Sequence, residues 1–352
     1  MPDGKYIPLQ SVALPLIALA GATAFFYYAT PILVPVIISI TLAYAFSPFV
    51  SILDRLKIPH FLSVLLVLVV AVGIAAVVGY IIFLQLSGLA KNLPGYWQEL
   101  LELASQLKER LLGFQGGILT QRLQELDLSQ LDTKHLAQAG QFVLKGLTSI
   151  FSLAFASLLS FFLSFFILND QQNIQRKLVK ALGSSQAEAT AVVLAKINSQ
   201  IKAFIQVKFW TTVVLSVIFT LGLLFLGVSY PYIWGPLAGV SNLIPFVGSV
   251  LGAVPPVIMA LLESDSLLLP VLVIAFFSVV QLVESNLVSP KIMGYKVNLS
   301  PLAVLIASMY WGWLWGGIGV ILAVPITAAL KVICDHIESL KPIGVLLGGR
   351  KD

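Results

Sequence analysis

Apolar residues gather into eight long runs, at about 11–29, 32–50, 61–86, 147–168, 205–227, 231–262, 267–288 and 300–333. Each reaches the roughly 18–20 apolar residues that a helix needs to cross a hydrocarbon core. None shows the ~10-residue alternation of outer-membrane barrel strands. Inside lipid the backbone must satisfy its own polar groups, which predicts helices. The expected fold is therefore an all-α integral membrane protein of about eight hydrophobic segments.

Two of these runs do not suit a single crossing. A helix over 231–262 would be about 48 Å long, against a core of about 30 Å. Its centre carries Pro245, Gly248 and Gly252, which suit a break. The run 300–333 is also too long, and Trp311-Gly-Trp-Leu-Trp-Gly-Gly317 interrupts it. Charge points the same way. With the amino terminus in the cytoplasm, the loop with Arg55 and Lys57 falls inside, and so does 169–204, with five basic residues against Asp170 and Glu188. The segment 87–146 falls outside, with six basic and six acidic residues. If 231–262 were a full span, Glu263 and Asp265 would lie inside and Lys291 and Lys296 outside, against the positive-inside rule. A re-entrant hairpin over 231–262 restores the rule. A second over 300–333, entering from inside, keeps the carboxyl terminus with Lys341, Arg350 and Lys351 in the cytoplasm. The expectation is six full spans and two re-entrant helical hairpins, both termini cytoplasmic, in a bacterial plasma membrane. Eight ordinary segments, two of them kinked or tilted, is the other arrangement the pattern permits.

Span 205–227 plus its hairpin precedes span 267–288 plus its hairpin in opposite orientation, and Trp234-Gly235 before Pro245 is echoed by Trp315-Gly316 before Pro325. Inverted repeats with broken helices are how many secondary transporters build a midplane site. Outside the spans the pattern is amphipathic. Leu93, Trp97, Leu100, Ala104, Leu107 and Leu111 keep helical spacing until Gly113, Gly116 and Gly117 break it. Leu119, Leu123 and Leu126 resume the pattern, and Asp132 or Thr133 is placed to cap a helix running into 147–168. Ile174, Leu178 and Leu182 mark a short helix before Gly183. Ser185 and Glu188 form a capping box for a helix continuing toward 227. Packing of these helices on one another or on the membrane surface is their simplest role.

Composition agrees with this reading. The 352 residues are 58% hydrophobic and 11% charged, with mean hydropathy +0.96, whereas soluble domains carry about 25% charged residues. The net charge of +5 sits mostly in loops beside spans, so it speaks for orientation and not for nucleic acid. The run after Lys5 reads as a first span instead of a cleaved signal, because a second span follows directly after Pro31. Cys334 is the sole cysteine, so no internal disulfide forms. His60, His135 and His336 are dispersed with no HExxH or CxxC spacing, and no P-loop is present. No metal, cofactor or ATP site is expected, and the lack of a GxSG serine or paired aspartates argues against an intramembrane protease.

A charge deep in lipid costs at least about 2.5–3.5 kcal/mol, so buried polar residues are the functional candidates. Glu284 is the clearest, with Gln281 three residues earlier on the same helical face and Asn286 just after. It reads as a cation-exchanging carboxylate, as a hydrogen-bonding group for a polar solute, or as an interfacial carboxylate paired with Lys291. Lys208 and Gln206 open the span 205–227, where a lysine usually snorkels to the headgroups. Asn242, Pro245, Gly248 and Ser249 sit at the centre of the first hairpin, where a restarting helix would aim N–H groups inward. The GxxxG pairs Gly235/Gly239, Gly248/Gly252 and Gly312/Gly316 suit close helix packing. Tyr310, Trp311, Trp313 and Trp315 suit an interfacial anchor or hairpin plug, an aromatic box for a cation being the alternative.

Three blocks resemble the autoinducer-2 exporter (AI-2E) family of bacterial membrane proteins: Asn242-Leu-Ile-Pro-Phe-Val-Gly248, Gln281-Leu-Val-Glu-Ser-Asn286 running through Pro290-Lys-Ile-Met-Gly294 to Pro301, and Trp315-Gly-Gly-Ile-Gly-Val-Ile-Leu-Ala-Val-Pro325. Their order and spacing match over about 200–333. Where many members have glycine before Gln or Lys at the start of the fifth span, this chain has Val207-Lys208. The resemblance implies a polytopic permease of oligomeric tendency. Some members are linked to export of autoinducer-2, a small polyhydroxylated furanone used in quorum sensing, and others to exchange of sodium or lithium for protons. The expectation becomes a secondary transporter exporting a small polar solute, with H+ or Na+ as the coupled ion. A Na+(Li+)/H+ antiporter and a non-transporting scaffold are the alternatives. Its regions would be a three-span part (1–86), an extracytoplasmic helical segment (87–146) and a transport region (147–352) with cytoplasmic helices over 169–204. The substrate or ion path would involve Glu284, Gln281, Asn286, Asn242, Pro245, Gly248, Ser249, Trp315, Gly316, Gly317 and Pro325.

Overall fold

A computed structural model describes residues 9–112, 141, 159–170, 187–245, 247–264, 266–288 and 299–349. Among the described residues all regular structure is helical: α1 (Leu9–Tyr28), α2 (Thr30–Arg55), α3 (His60–Leu112), α4 (Leu159–Asp170), α5 (Ala187–Leu226), α6 (Pro231–Ser241), α7 (Gly248–Glu263), α8 (Leu268–Val283), α9 (Pro301–His336) and α10 (Lys341–Leu347). A π-helical turn, Glu284–Val288, extends α8. Among the described residues five stretches are long and apolar enough to cross a membrane: Thr30–Arg55, His60–Gln106, Ala195–Leu226, Leu268–Asn286 and Pro301–His336.

Two helices outrun their apolar cores. The span 61–86 and the amphipathic stretch from Leu93 are expected as separate segments but form one 53-residue helix, α3, about 80 Å long. Neither Gly88 nor Pro94 stops it, since one glycine costs only about 1 kcal/mol and a proline kinks a helix more readily than it ends one when neighbours hold both sides. Likewise α5 runs for 40 residues from Ala187, the continuation that the Ser185/Glu188 signal predicts. The features expected at 113–140, 147–158 and 171–186 lie outside the described residues.

Both overlong runs fold back on themselves. In the first, α6 ends at Ser241 and α7 starts at Gly248. A Cβ on Gly248 would collide with the Ser241 carbonyl oxygen, and one on Gly252 would sit 2.8 Å from Ala238 Cα. The register falls along α6 as it rises along α7, so the arms are antiparallel. Their open end is tied where the Ser229 amide donates to Glu263 Oε2 at 3.0 Å. In the second, Gly316 has φ 65° and ψ −146° inside α9. A Cβ on Gly319 would strike the Trp311 carbonyl oxygen, although residues eight apart in a straight helix are about 12 Å apart. The chain therefore reverses at Gly316 into arms 301–315 and 317–336.

The described residues group into two compact units, one from 1–67, 158–207 and 293–352, the other from 68–157 and 208–292. In the first unit Trp311, Leu314, Trp315 and Ala323 form a core against Phe26 and Leu33. In the second, Leu215, Phe219, Leu223, Val273 and Phe277 form the core with Met259 and Ala260. Phe219 and Phe277 stack with centroids 4.4 Å apart. Gly235 and Gly239 lie so close to Thr220 and Ser216 that a side chain would strike their backbone. The GxxxG spacing thus seats α6 directly on α5.

Candidate functional site

The second unit holds Glu284, Gln281, Asn286, Asn242, Pro245, Gly248 and Ser249. The Glu284 carboxylate is 6% exposed, and Gln281 Nε2 donates to its Oε2 at 3.3 Å. Glu284 opens the π-helical turn. A π turn shifts the backbone ladder by one residue and frees carbonyls, and such turns recur at functional sites. Here Asn286 Nδ2 donates to the Leu282 carbonyl at 3.0 Å. The loosened backbone is therefore satisfied by a side chain of the same turn. Asn242 ends α6, and Pro245 lies in the hairpin turn beside the start of α7 at Gly248.

Two cavities flank this carboxylate region. One, of about 540 Å³, lies between α7 and α8 and is lined by Ser249, Ser278, Gln281 and Ser285 among apolar side chains including Phe277. It brings Ser249 and Gln281, far apart in the chain, to one wall. Ser278, Gln281 and Ser285 are spaced i, i+3 and i+7 and form a polar stripe on an otherwise apolar helix. The Ser278 and Ser285 hydroxyls donate to the Ile274 and Leu282 carbonyls of their own helix, which leaves their oxygens as acceptors on the cavity wall. The second cavity, of about 300 Å³, lies between α5 and α8 and is lined by Trp210, Thr211, Leu215, Val280, Val283 and Glu284. Gln281 faces the first cavity, Glu284 the second, and a hydrogen bond joins them. A third cavity, of about 710 Å³ between α3 and the first hairpin, is lined almost wholly by apolar groups and offers a polar solute little.

Charge is also present on α5. The Lys208 side chain is half-buried. Lys291, the expected partner of Glu284, lies outside the described residues.

The remaining candidates, Trp315, Gly316, Gly317 and Pro325, belong to the first unit. Trp315 Nε1 donates to the Phe26 carbonyl at 3.2 Å, and Phe26 meets Trp311 and Trp315 edge-to-face at 5.5 and 6.1 Å. Tyr310 and Thr23 hydroxyls share a hydrogen bond of 2.8 Å. The aromatic cluster thus locks α1 onto the second hairpin. Gly316 and Gly317 are exposed at the reversal, and Pro325 is buried on the second arm. The first unit also contains polar groups that sequence reasoning passed over. Ser39, Ser63, Ser160 and Ser164 are buried, with Ser164 Oγ donating to the Ser160 and Ser39 carbonyls. The Tyr44 hydroxyl donates to Asn198 Oδ1, and Gln206 Nε2 donates to the Tyr44 carbonyl and to Ser47 Oγ. The one signal for Ser278 and Ser285 was their spacing around Gln281.

Known proteins resemble this chain over most of its length. The family described as AI-2E family transporter matches residues 16–339. A putative transport protein of Borreliella burgdorferi is 28% identical over 92% of this chain and 86% of its own length. The AI-2 transport protein TqsA of Escherichia coli is 28% identical over 91% of this chain and 90% of its own. The putative transport protein YueF of Bacillus subtilis is 28% identical over 90% and 87%.

Proposed function

The chain belongs to the AI-2E transporter family and is an integral membrane transport protein, and from that premise we propose that it exports a small polar solute by coupling to a proton or sodium gradient. One observation carries this reading: a buried carboxylate, Glu284, is hydrogen-bonded to Gln281 on the wall of a cavity of about 540 Å³. The volume lies within the roughly 300–1,000 Å³ of small-molecule sites. The Ser249 hydroxyl supplies a donor and an acceptor for a hydroxylated solute, the hydroxyls of Ser278 and Ser285, whose hydrogens go to the Ile274 and Leu282 carbonyls, supply acceptors, and Glu284 is the group that exchanges the coupled ion. TqsA, named as an AI-2 transport protein, makes autoinducer-2 the first solute to try.

Both hairpins are re-entrant in this reading. Arms of 11 and 16 residues in the first reach only about 16 and 24 Å, short of a core of about 30 Å. The basic loops put both termini on the cytoplasmic side of the plasma membrane, as the positive-inside rule requires. With Cys334 replaced, Ser229→Cys and Ser264→Cys should both react with an impermeant maleimide from outside the cell. Reaction from opposite sides would restore 231–262 as a full span.

Transport is tested with inside-out vesicles containing the protein, measuring autoinducer-2 uptake with and without imposed proton and sodium gradients. Gradient-dependent uptake above empty vesicles is expected, and Glu284→Gln should abolish the gradient dependence in protein that still folds. Wild-type, gradient-dependent rates in that variant would remove Glu284 from the coupling role. The same buried carboxylate beside an ammonium-bearing helix also favours a second reading, exchange of Na+ or Li+ for H+. That reading expects a pH gradient across proteoliposomes to collapse on adding either salt with no solute present.

A further inference from the structure

The turn between α2 and α3 separates the apolar runs 32–50 and 61–86, and His60 stands at its end as the first residue of α3, with a side chain 49% exposed. Its Nδ1 lies 2.9 Å from Oδ2 of Asp54 in the last turn of α2. Its Nε2 lies 3.3 Å from the carbonyl oxygen of Leu168, a buried residue in the last turn of α4. One imidazole therefore bridges the ends of three helices, all within the first unit.

Both oxygens are acceptors, since an ionised carboxylate and a backbone carbonyl carry no hydrogen. A neutral imidazole has one N–H and one bare nitrogen, so it satisfies one of these oxygens and turns a lone pair toward the other. An imidazolium has two N–H groups and satisfies both. The two contacts are thus complete only with the ring protonated. Other charged groups on the packed elements are Arg55 at the end of α2, Lys57 in the turn and Asp170 at the end of α4. Helix α5, which meets α2 where the Tyr44 hydroxyl bonds Asn198, carries Lys196 and Lys202. It is the Asp54 carboxylate that lies within hydrogen-bonding distance of the ring.

We propose that His60 is a proton-binding site that clamps α2, α3 and α4 together. Protonated, the ring holds both oxygens. On losing one proton it keeps the shorter, charge-assisted bond to Asp54 and releases the Leu168 carbonyl, which frees the end of α4. Glu284 belongs to the other unit, and the clamp does not rest on its role. Because two acceptors hold the proton, the folded chain binds it more tightly than the unfolded one. The stabilisation is complete below the ordinary imidazole value of about 6.5 and is lost as pH rises through the higher folded value. With the turn facing the cytoplasm, as in the topology above, the clamp opens when the cytoplasm turns alkaline.

Deuterium exchange at histidine C2, followed by mass spectrometry on purified full-length protein over about pH 5–9, gives the titration midpoint of His60. In the wild type it should lie above about 6.5. In Asp54→Asn it should fall by about half a pH unit or more, the effect of losing one partly exposed charged partner. A wild-type midpoint at or below about 6.5, or one that Asp54→Asn leaves in place, overturns the site. Movement of α4 is followed with paired spin labels at Ser51→Cys and Asn169→Cys, both exposed positions, in a chain carrying Cys334→Ala. The labels should hold one separation at about pH 6 and spread over a range at about pH 8.5. In His60→Gln, which takes up no proton, the distribution should be the same at both pH values. A wild-type separation indifferent to pH, or a pH response that persists in His60→Gln, overturns the clamp. If His60→Gln does not yield folded protein, the labels are placed in Asp54→Asn, where the spread should set in at a lower pH than in the wild type. No difference from the wild type there overturns the clamp as well.

Discussion

The two hairpins solve one problem in different ways. Each must reverse an apolar chain without leaving buried backbone groups unpaired. The first does so with a turn that begins at Asn242, where the Leu243 and Ile244 amides donate to the Val240 and Ser241 carbonyls at 3.0 and 2.9 Å. Its arms press together through Gly248 and Gly252. The second reverses at one residue, Gly316, in a φ/ψ region that side chains do not enter. Its arms are held by Trp311 and Trp315 against Phe26. The first hairpin borders an open cavity with polar groups, while the second is wedged by aromatic rings and its tryptophan donor is already engaged. A hairpin that borders an open cavity with Ser249 on its wall is suited to handling cargo, and one saturated by its own packing is suited to holding a shape.

Breaking the second hairpin at its single weak point should have the largest effect on stability. A Cβ at Gly316 meets no neighbouring atom, so its cost is purely that of the backbone angle. Gly316→Val should cost about 2–3 kcal/mol, a Tm loss of several degrees. Gly317→Val, with equal open space and no positive φ, should change Tm little. Equal losses in the two would mean that the space around the reversal matters, and not its angle.

This contrast was only half legible in the amino-acid sequence. Run length and the Pro and Gly residues near 245 and 316 marked both reversals, because a helix cannot hide an excess of length over the bilayer. The aromatic cluster near Trp315 was visible, but its partner, Phe26, is nearly the whole chain away, and local periodicity says nothing about such a contact. The helix runs on past residue 86 because Gly88 and Pro94 have a local cost that tertiary packing outweighs. Ser278 and Ser285 were passed over because a serine in an apolar helix usually bonds back to its own backbone, as Ser278 does to the Ile274 carbonyl at 2.7 Å. Only the cavity in front of them distinguishes this stripe from such ordinary serines.

Filling that cavity should separate the roles of the hairpins. Ser278→Leu and Ser285→Leu place bulk into the 540 Å³ space from residues that are themselves exposed, so Tm should stay within about 1–2 °C, as for surface substitutions. Solute uptake should fall about tenfold, equivalent to roughly 1.4 kcal/mol of lost binding. Unchanged uptake in both variants would mean that the cargo passes elsewhere and that the stripe serves only to wet the helix.

The smallest expected effect is also the sharpest test of the second hairpin as a lock. Trp315→Phe keeps an aromatic ring beside Phe26 but removes the indole N–H that Phe26 accepts at 3.2 Å. A carbonyl left without its donor costs about 1 kcal/mol, and double-mutant cycles in membrane proteins average about 0.6 kcal/mol for a hydrogen bond between helices. Tm should therefore fall by only about 1 °C. If Trp315 is an anchor, the solute concentration for half-maximal uptake should not move, because the ring is buried and its donor already has a partner. If that concentration rises while Tm holds, the indole contacts cargo at some stage of the cycle, and the bond to Phe26 is one that transport must break. The two hairpins would then share the handling of solute, and the difference between them would be one of conformational state and not of task.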